Sequence, residues 1–183
     1  VVGSKDKSIG IEKIAKMVHG NENIPENIDT KLEAEMKYDP VSNAYSFGTH
    51  IAVVEIEKET GEVKLNRYIA VDDCGVQINP LLVEGQLHGG IVQGIGQALY
   101  EKTVYDDTGN LLTGTLQDYA LPRTFHIPEI ELASTITPCP HNPLGAKGAG
   151  ESGAIAAPPA IVNAVIDALR PLGIKSMDMP ITD

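Results

Sequence analysis

A single carboxylate, Glu151, stands between glycines in the stretch GAKGAGESGAIAAPP near the C-terminal third of the chain. Glycine lets a backbone turn tightly or approach another group closely, so the cluster predicts a turn or a close contact. The following residues are mostly apolar, and burial of a carboxyl group among them would raise its pKa towards neutrality, where a general base works best. The pattern therefore makes Glu151 a candidate for a buried general base. The alternative is a loop glutamate that caps the following helix together with Ser152.

The same stretch matches the dinucleotide-binding pattern G-x-G-x-x-G at Gly148, Gly150 and Gly153. The context argues against a nucleotide site, because a proline-rich stretch, TPCPHNPLGAK, precedes it where a strand is required. A phosphate-binding P-loop is not indicated either, since Lys147 precedes the second glycine and no Ser or Thr follows it directly.

The candidate metal ligands are scattered along the chain. Zinc sites show paired ligands at short spacing, whereas only CPH at 139–141 places two such residues close together. We therefore expect loop and core roles, and no protein-ligated metal, for these five residues: Cys74, His88, His126, Cys139 and His141.

A hairpin and two helices are the elements predicted to position Glu151. The hairpin spans 45–75, where two β-branched runs flank KETGE and Gly61 supplies the turn. The first helix follows Asn79 as N-cap and Pro80 at its first position. The second is PPAIVNAVIDALRPLG, with Pro at its start and Gly173 near its end.

Further elements complete the predicted fold. The pattern favours a helix at 8–19 with Ser8 as cap, a polar loop at 20–29, and a strand in LEAEMKY at 32–38. TVYDDTGNLLTGT predicts a second hairpin, and EIELASTIT predicts a strand. Hairpins and helices are mixed without strict βαβ alternation. The sequence therefore predicts the α+β class, with β-hairpins and a mixed sheet packed against helices.

Glycines are unusually frequent in the helix that follows Asn79. Each interior glycine costs about 0.5–1 kcal/mol relative to alanine, so tight packing or a bound ligand is expected to offset the loss. The five positions are Gly85, Gly89, Gly90, Gly94 and Gly96.

Composition narrows the classes of function. With 183 residues, 42% hydrophobic and 21% charged, the chain reads as a soluble globular protein. A net charge of −11 argues against nucleic acid or an anionic membrane as partner. Prolines, Asn163 and Asp167 interrupt the longest apolar stretch, so no membrane span is expected. Two cysteines fit a reducing cytoplasm and are too few for an iron–sulfur cluster.

Three stretches together carry a family resemblance: VDDCGVQINP, VEGQLHGGIVQGIGQALYE and GAKGAGESGAIAAPPAIVNAVIDAL. In this order they resemble the C-terminal part of the molybdenum-binding subunit of the xanthine dehydrogenase superfamily, which includes aldehyde oxidoreductases and the large chain of aerobic carbon monoxide dehydrogenase. The resemblance is weak over residues 1–30, where only a helix and a polar loop are expected. It implies that residues 1–183 are the C-terminal part of a molybdopterin-binding domain.

The resemblance also implies roles for individual residues. Glu151, in the G-x-G-E loop, is implied to be the general base beside molybdenum in an enzyme that oxidises an aldehyde, carbon monoxide or an N-heterocycle with water-derived oxygen. For Gln93 the alternative is a polar residue on a helix surface, and for Lys147 it is simple exposure to solvent. Contacts with the cofactor, direct or through a neighbour, are implied for Gln93, Gly94, Lys147, Gly148 and Gly150.

The implied cofactor is molybdenum–molybdopterin in its cytosine dinucleotide form. The implied partners are the remainder of the molybdenum subunit and iron–sulfur and FAD subunits or domains, in an oligomer. Because family members have a much longer molybdenum subunit, we expect this chain to be a split subunit or a fragment that supplies half a pocket at most. Alone it is expected to be inactive and free of cofactor. The alternative is a non-catalytic scaffold or assembly domain of the same fold.

Overall fold

The structure is a computed structural model that describes residues 6–20, 24 and 32–182. The chain divides into two compact units, Val1–Asp39 and Pro40–Asp183. In the first unit, helix α1 spans Ile11–Gly20. The predicted N-terminal helix is thus confirmed, but its cap is wrong, because the helix begins three residues after Ser8.

Two further expectations concern the segment before the first strand. The predicted loop at 20–29 falls largely outside the described residues. The predicted strand at 32–38 is wrong, since residues 32–46 form neither helix nor strand. Alternation of apolar and polar residues specifies which face of a strand is buried, but a strand also needs a neighbour to satisfy its backbone hydrogen bonds.

The predicted hairpin is confirmed. Strands β1, Phe47–Ile56, and β2, Val63–Asp73, pair antiparallel along their whole length, with one irregularity between Val53 and Val54. Gly61 turns the chain with a φ of 77°, a conformation that glycine adopts without strain.

Strand β3, Ile130–Ser134, lies parallel to β2, so the sheet order is β1-β2-β3 and β2 is central. A mixed sheet packed with helices confirms the α+β class. The predicted second hairpin forms only an isolated bridge between Tyr105 and Leu111, closed by a turn in which Asp106 accepts hydrogen bonds from Thr108 and Asn110.

Helix α2 spans Pro80–Leu99 and begins as predicted. The Asn79 Oδ1 atom accepts a hydrogen bond from the Leu82 amide at 3.3 Å, and Pro80 occupies the first helical position, where its missing N–H costs nothing.

Helix α3 spans Ser152–Leu169 and begins six residues before the predicted start, which is therefore wrong. Pro158 and Pro159 lie inside the helix, although an interior proline removes a backbone hydrogen bond. The turn before them is held by close packing instead: a Cβ added at Gly153 would lie 2.5 Å from the Leu87 carbonyl oxygen of α2. Tertiary contact thus overrides the local signal.

The core of the second unit is organised around α3, which packs against α2 on one side and against β1 on the other. Among its fully buried side chains are Tyr68, Ile91, Ile95, Ile161 and Val165. The segment Ser152–Leu172 is long and apolar enough to cross a membrane, judged by length and composition alone. We expected its prolines and polar residues to rule out a membrane span, and by this criterion they do not. Three apolar residues of the segment, Ala157, Ile161 and Val165, are fully buried in the core of this unit.

Candidate functional site

The loop that leads to Glu151 lies along the end of strand β2. Ala146 forms an antiparallel bridge with Gly75, and the Lys147 amide donates to the Cys74 carbonyl oxygen at 2.9 Å. The Gly148 amide donates to the Ala44 carbonyl oxygen, just before β1, at 3.0 Å. Backbone hydrogen bonds therefore fix the start of this loop against the hairpin.

A buried ion pair joins the same loop to β2. The Lys147 Nζ atom lies 2.9 Å from Asp73 Oδ1, with side-chain exposures of 8% and 0%. Asp73 also accepts hydrogen bonds from the Gly75 amide and the Thr135 hydroxyl, both at 3.0 Å. Burial opposes ionisation of Asp73, but these bonds, with one from Thr137, hold the pKa of its carboxyl group well below its usual value.

The Lys147 ammonium group also stands 4.3 Å from the centre of the Phe47 ring, a cation–π contact. Its charge is thus engaged within the chain by Asp73 and Phe47. The alternative of an exposed lysine is wrong, and the expected contact with a cofactor phosphate stays a prediction.

Ser152, the first residue of α3, closes the loop on its other side. Its hydroxyl lies 2.7 Å from the Ser46 hydroxyl, 3.3 Å from the Gly148 carbonyl oxygen and 3.7 Å from Cys74 Sγ. Burial raises the pKa of the Cys74 thiol, with the Ser152 hydrogen bond acting in the opposite direction. Glu151 is therefore flanked by Gly150 and by a residue that is fixed by three polar contacts.

Glu151 itself is exposed, so the expectation of a buried carboxylate is wrong for the described chain. It occupies the N-cap position of α3, where its backbone carbonyl accepts from the Ala154 amide at 3.0 Å. Its side chain makes no capping hydrogen bond, so the alternative of a side-chain cap is also wrong. The carboxylate projects from a well-held backbone and is accessible to a molecule outside this chain.

Helix α2 presents polar and glycine residues next to this loop. A Cβ added at Gly150 would lie 3.9 Å from Gln86 Oε1, which brings α2 beside the Glu151 loop. Gln86 and Gln93 are exposed, and seven residues apart they share one face of the helix, about 10 Å apart along its axis. Added Cβ atoms at Gly85 and Gly89 would meet nothing within 4 Å. Gln86 was missed by the sequence reasoning, although its spacing from Gln93 could have indicated it.

Gly94 is placed differently from the expectation. A Cβ added there would lie 2.5 Å from Ala157 Cβ and 2.9 Å from Pro158 Cδ, so this glycine permits close packing of α2 on α3. A cofactor contact at Gly94 is therefore not supported by its position, because its open side is filled by α3. The structure thus brings together Lys147, Gly148, Gly150 and Glu151, places Gln93 farther along α2, and turns Gly94 into the core.

A second buried polar group was also missed. His50 lies between Tyr68 and Asp72, with Nδ1 2.7 Å from the tyrosine hydroxyl and Nε2 3.0 Å from the carboxylate. Burial, followed by the Asp72 charge, raises the pKa of Tyr68. These side chains join β1 to β2 beneath α3. No group of three His, Cys, Asp or Glu residues within 6–20, 24 and 32–182 could hold a metal ion.

Comparison with known proteins identifies the family of this chain. Residues 1–128 match the model of the molybdopterin cofactor-binding domain, so the match includes residues 1–30 and ends before the Glu151 loop. The chain is 44% identical over 158 residues to the carbon monoxide dehydrogenase large chain of Hydrogenophaga pseudoflava, which covers 86% of this chain and 20% of that relative. It is 40% identical over 183 residues to the nicotine 6-hydroxylase large subunit of Paenarthrobacter nicotinovorans, covering 100% and 22%.

The crystal structure of quinoline 2-oxidoreductase from Pseudomonas putida 86 superimposes with a TM-score of 0.83 at 42% identity, covering 100% of this chain and 23% of that one. The chain therefore spans about a fifth of the length of the relatives it matches. The resemblance to the xanthine dehydrogenase superfamily, with carbon monoxide dehydrogenase large chains among the relatives, is confirmed. This chain belongs to the molybdopterin cofactor-binding domain family.

Proposed function

We propose that this chain is the C-terminal portion of a molybdenum hydroxylase large subunit, an oxidoreductase in which Glu151 is the general base. The observation that carries the proposal is the placement of Glu151: an exposed carboxylate, free of capping, on a loop that is fixed to β2 and at Ser152. Such a group can reach a molecule bound outside the chain while its backbone stays in place.

The described residues fit one wall of a molybdopterin site. Gln86 and Gln93 offer side-chain amides that can both donate to and accept from a pterin ring and can donate to phosphate oxygens. The exposed glycines Gly85 and Gly89 leave the α2 backbone open to close approach. These groups would hold the cofactor, together with Gly148 and Gly150 beside the metal centre. When bound, the cofactor supplies two-electron redox chemistry and positive charge.

Glu151 would accept a proton at a carboxylate oxygen and hold it while the substrate is oxidised with oxygen derived from water. A general base works best with a pKa near the operating pH, which requires removal from water. Because Glu151 is exposed on this chain, the remainder of the large subunit would have to provide that removal.

The substrate is an aldehyde, carbon monoxide or an N-heterocycle. Among these, an N-heterocycle is favoured by two relatives that match the whole chain, whose names specify nicotine and quinoline. We infer that the assembled enzyme contains the cytosine dinucleotide form of the cofactor and passes electrons to iron–sulfur and FAD subunits or domains in an oligomer. The two buried free cysteines agree with a cytoplasmic location.

The test is Glu151→Gln in the assembled enzyme. The change keeps the size and polarity of the side chain but removes the base, so turnover should fall about 10²- to 10⁴-fold. Molybdenum content, measured by metal analysis, should stay normal, because the amide can still occupy the same space. Asp167→Asn is the matched control, since Asp167 is an exposed carboxylate on the far end of the same helix.

Two results would count against the proposal in different ways. Retained turnover in Glu151→Gln would contradict the role of Glu151 as general base, but it would not affect the assignment of the chain to its family. Absence of molybdenum from the complex purified with its partners intact would instead support the alternative, a non-catalytic scaffold of the same fold.

A further inference from the structure

We propose that the buried ion pair between Asp73 and Lys147 is a positioning device that sets the location of Glu151. Neither residue is assigned contact with the reacting atoms. The inference rests on the proposed role of Glu151 as general base, and it adds two residues through which the fold controls that role.

The ion pair ties three parts of the fold together. Asp73 ends β2, and its carboxylate binds the Lys147 ammonium at 2.9 Å on one oxygen and the Thr135 hydroxyl, just after β3, at 3.0 Å on the other. The Lys147 backbone amide is bonded to the Cys74 carbonyl oxygen at 2.9 Å. Lys147 is therefore held to the same strand end by both its main chain and its side chain.

Burial separates this ion pair from an ordinary surface pair. Asp73 is fully buried and Lys147 is 8% exposed, whereas Arg67 and Glu131, on β2 and β3, are about half exposed. Loss of one partner from a buried pair leaves an uncompensated charge that the surrounding chain must move to solvate, while a surface pair loses little. A change at Lys147 should consequently displace the backbone around it.

The segment between Lys147 and Glu151 transmits such a displacement. It consists of Gly148, Ala149 and Gly150, two of which have no side chain to pack. On the far side, Ser152 is held by the Ser46 hydroxyl. Glu151 thus stands between two fixed points, of which the ion pair is one. A shift of about 1 Å in a reacting group can cost roughly 10²-fold in rate.

The first experiment measures hydrogen exchange in the full enzyme carrying Lys147→Met. Amides of residues 146–152 should exchange faster, because the loop loses its side-chain attachment, while the β1–β2 hairpin keeps its protection. Arg67→Met is the matched control: it breaks an ion pair on the same strand and should leave exchange at 146–152 unchanged. Unchanged exchange in Lys147→Met would overturn the proposal.

The second experiment separates position from stability. In Lys147→Met, kcat should fall roughly 10- to 100-fold with KM altered by less than about threefold and molybdenum content normal. The double variant Asp73→Asn/Lys147→Met no longer buries a lone charge, so its midpoint of thermal unfolding should recover towards that of the parent, and it can be studied even where the single variant assembles poorly. Its kcat should stay low, because the attachment is still missing.

If kcat recovers together with thermal stability in the double variant, the ion pair contributes only to stability, and the proposal is overturned. Glu151→Gln, measured in parallel, keeps the two hypotheses apart. If that variant loses turnover while both Lys147 variants keep it, only the positioning role fails. If Glu151→Gln retains turnover, the hypothesis that Glu151 is the general base is wrong. Hydrogen exchange in Lys147→Met then decides whether the ion pair fixes the loop.

Discussion

Asp73 shows how a buried acid can remain ionised in this fold. Its carboxylate is removed from water, which alone would favour the protonated form. An ammonium group, a backbone amide and threonine hydroxyls together outweigh that cost and lower its pKa. Asp73 is charged because its neighbours donate hydrogen bonds to the ionised carboxylate. Removal of one of these neighbours should therefore change how the free energy of unfolding depends on pH.

Asp73→Asn provides the corresponding prediction. The folded pKa lies below the usual value of 3.8, so the unfolded chain binds more protons and the stabilisation is present above about pH 4. It is lost as the pH falls towards the folded pKa. The midpoint of thermal unfolding should therefore be lower in Asp73→Asn than in the parent at neutral pH, and the difference should shrink on acidification to about pH 3.

Asp167→Asn is again the control, because its exposed ion pair with Arg170 should contribute little at any pH. A difference between Asp73→Asn and the parent that grows on acidification would mean that Asp73 is not ionised in the folded chain.

At the residue scale, the sequence indicated Glu151 as the candidate base but not how its loop is held. Glu151 was recognisable from the glycines around it, which are close in sequence. Asp73 and Lys147 are separated by 74 positions, and nothing local in VDDCG or GAKG specifies that the two side chains meet. The expected burial of Glu151 failed for a related reason: apolar neighbours in sequence do not have to lie around the carboxylate in space, and Ile155, four residues on, is itself 74% exposed.

The glycines of α2 serve two different purposes at the element scale. Gly90 and Gly94 face α3, where an added Cβ would lie 2.9 Å from the Ala154 nitrogen or 2.5 Å from Ala157 Cβ. Gly89, one position from Gly90, faces open space. The helix therefore accepts glycine on one face to approach α3 closely, and on the other face it leaves its backbone uncovered.

Gly94→Ala and Gly89→Ala test this division. The first should destabilise the fold by about 1–3 kcal/mol, because a methyl group must enter a filled helix contact. The second should stabilise it by about 0.5–1 kcal/mol, the usual gain for alanine in a helix interior. Thermal or denaturant unfolding measures both, and Gly89→Ala serves as the matched control. Equal effects would show that α2 and α3 are not packed as described.

Elements with local signals were predicted well, and elements that depend on distant contacts were not. Asn79 and Pro80 start α2 by chemistry confined to a few residues, and Gly61 forms the hairpin turn by its own backbone freedom. The start of α3 instead depends on the contact of Gly153 with α2, and the parallel partner of β3 could not be read from its own residues.

At the scale of the whole molecule, the candidate site residues lie on an open surface of the chain. Gln86, Gln93 and Glu151 all face outward, although amides and carboxylates of a cofactor site are expected to be enclosed. The relatives are more than four times as long, since 158 residues of this chain match 20% of one and 183 residues match 22% of the other. In the proposed function, the outward face of α2 and the Glu151 loop is the surface on which the rest of the pocket is assembled.

Metal analysis tests this view of the molecule. The complex purified from its native host should contain stoichiometric molybdenum and release a cytosine-containing pterin nucleotide, whereas the separately expressed 183-residue chain should contain neither. The reason is that a single open wall leaves the cofactor largely in water, and ligand sites normally enclose most of the ligand surface. Circular dichroism of the separate chain must show its helices and sheet for the comparison to hold. Stoichiometric molybdenum in that folded, separate chain would mean that the site is complete within these residues and that Gln93 and Glu151 close over the cofactor without help.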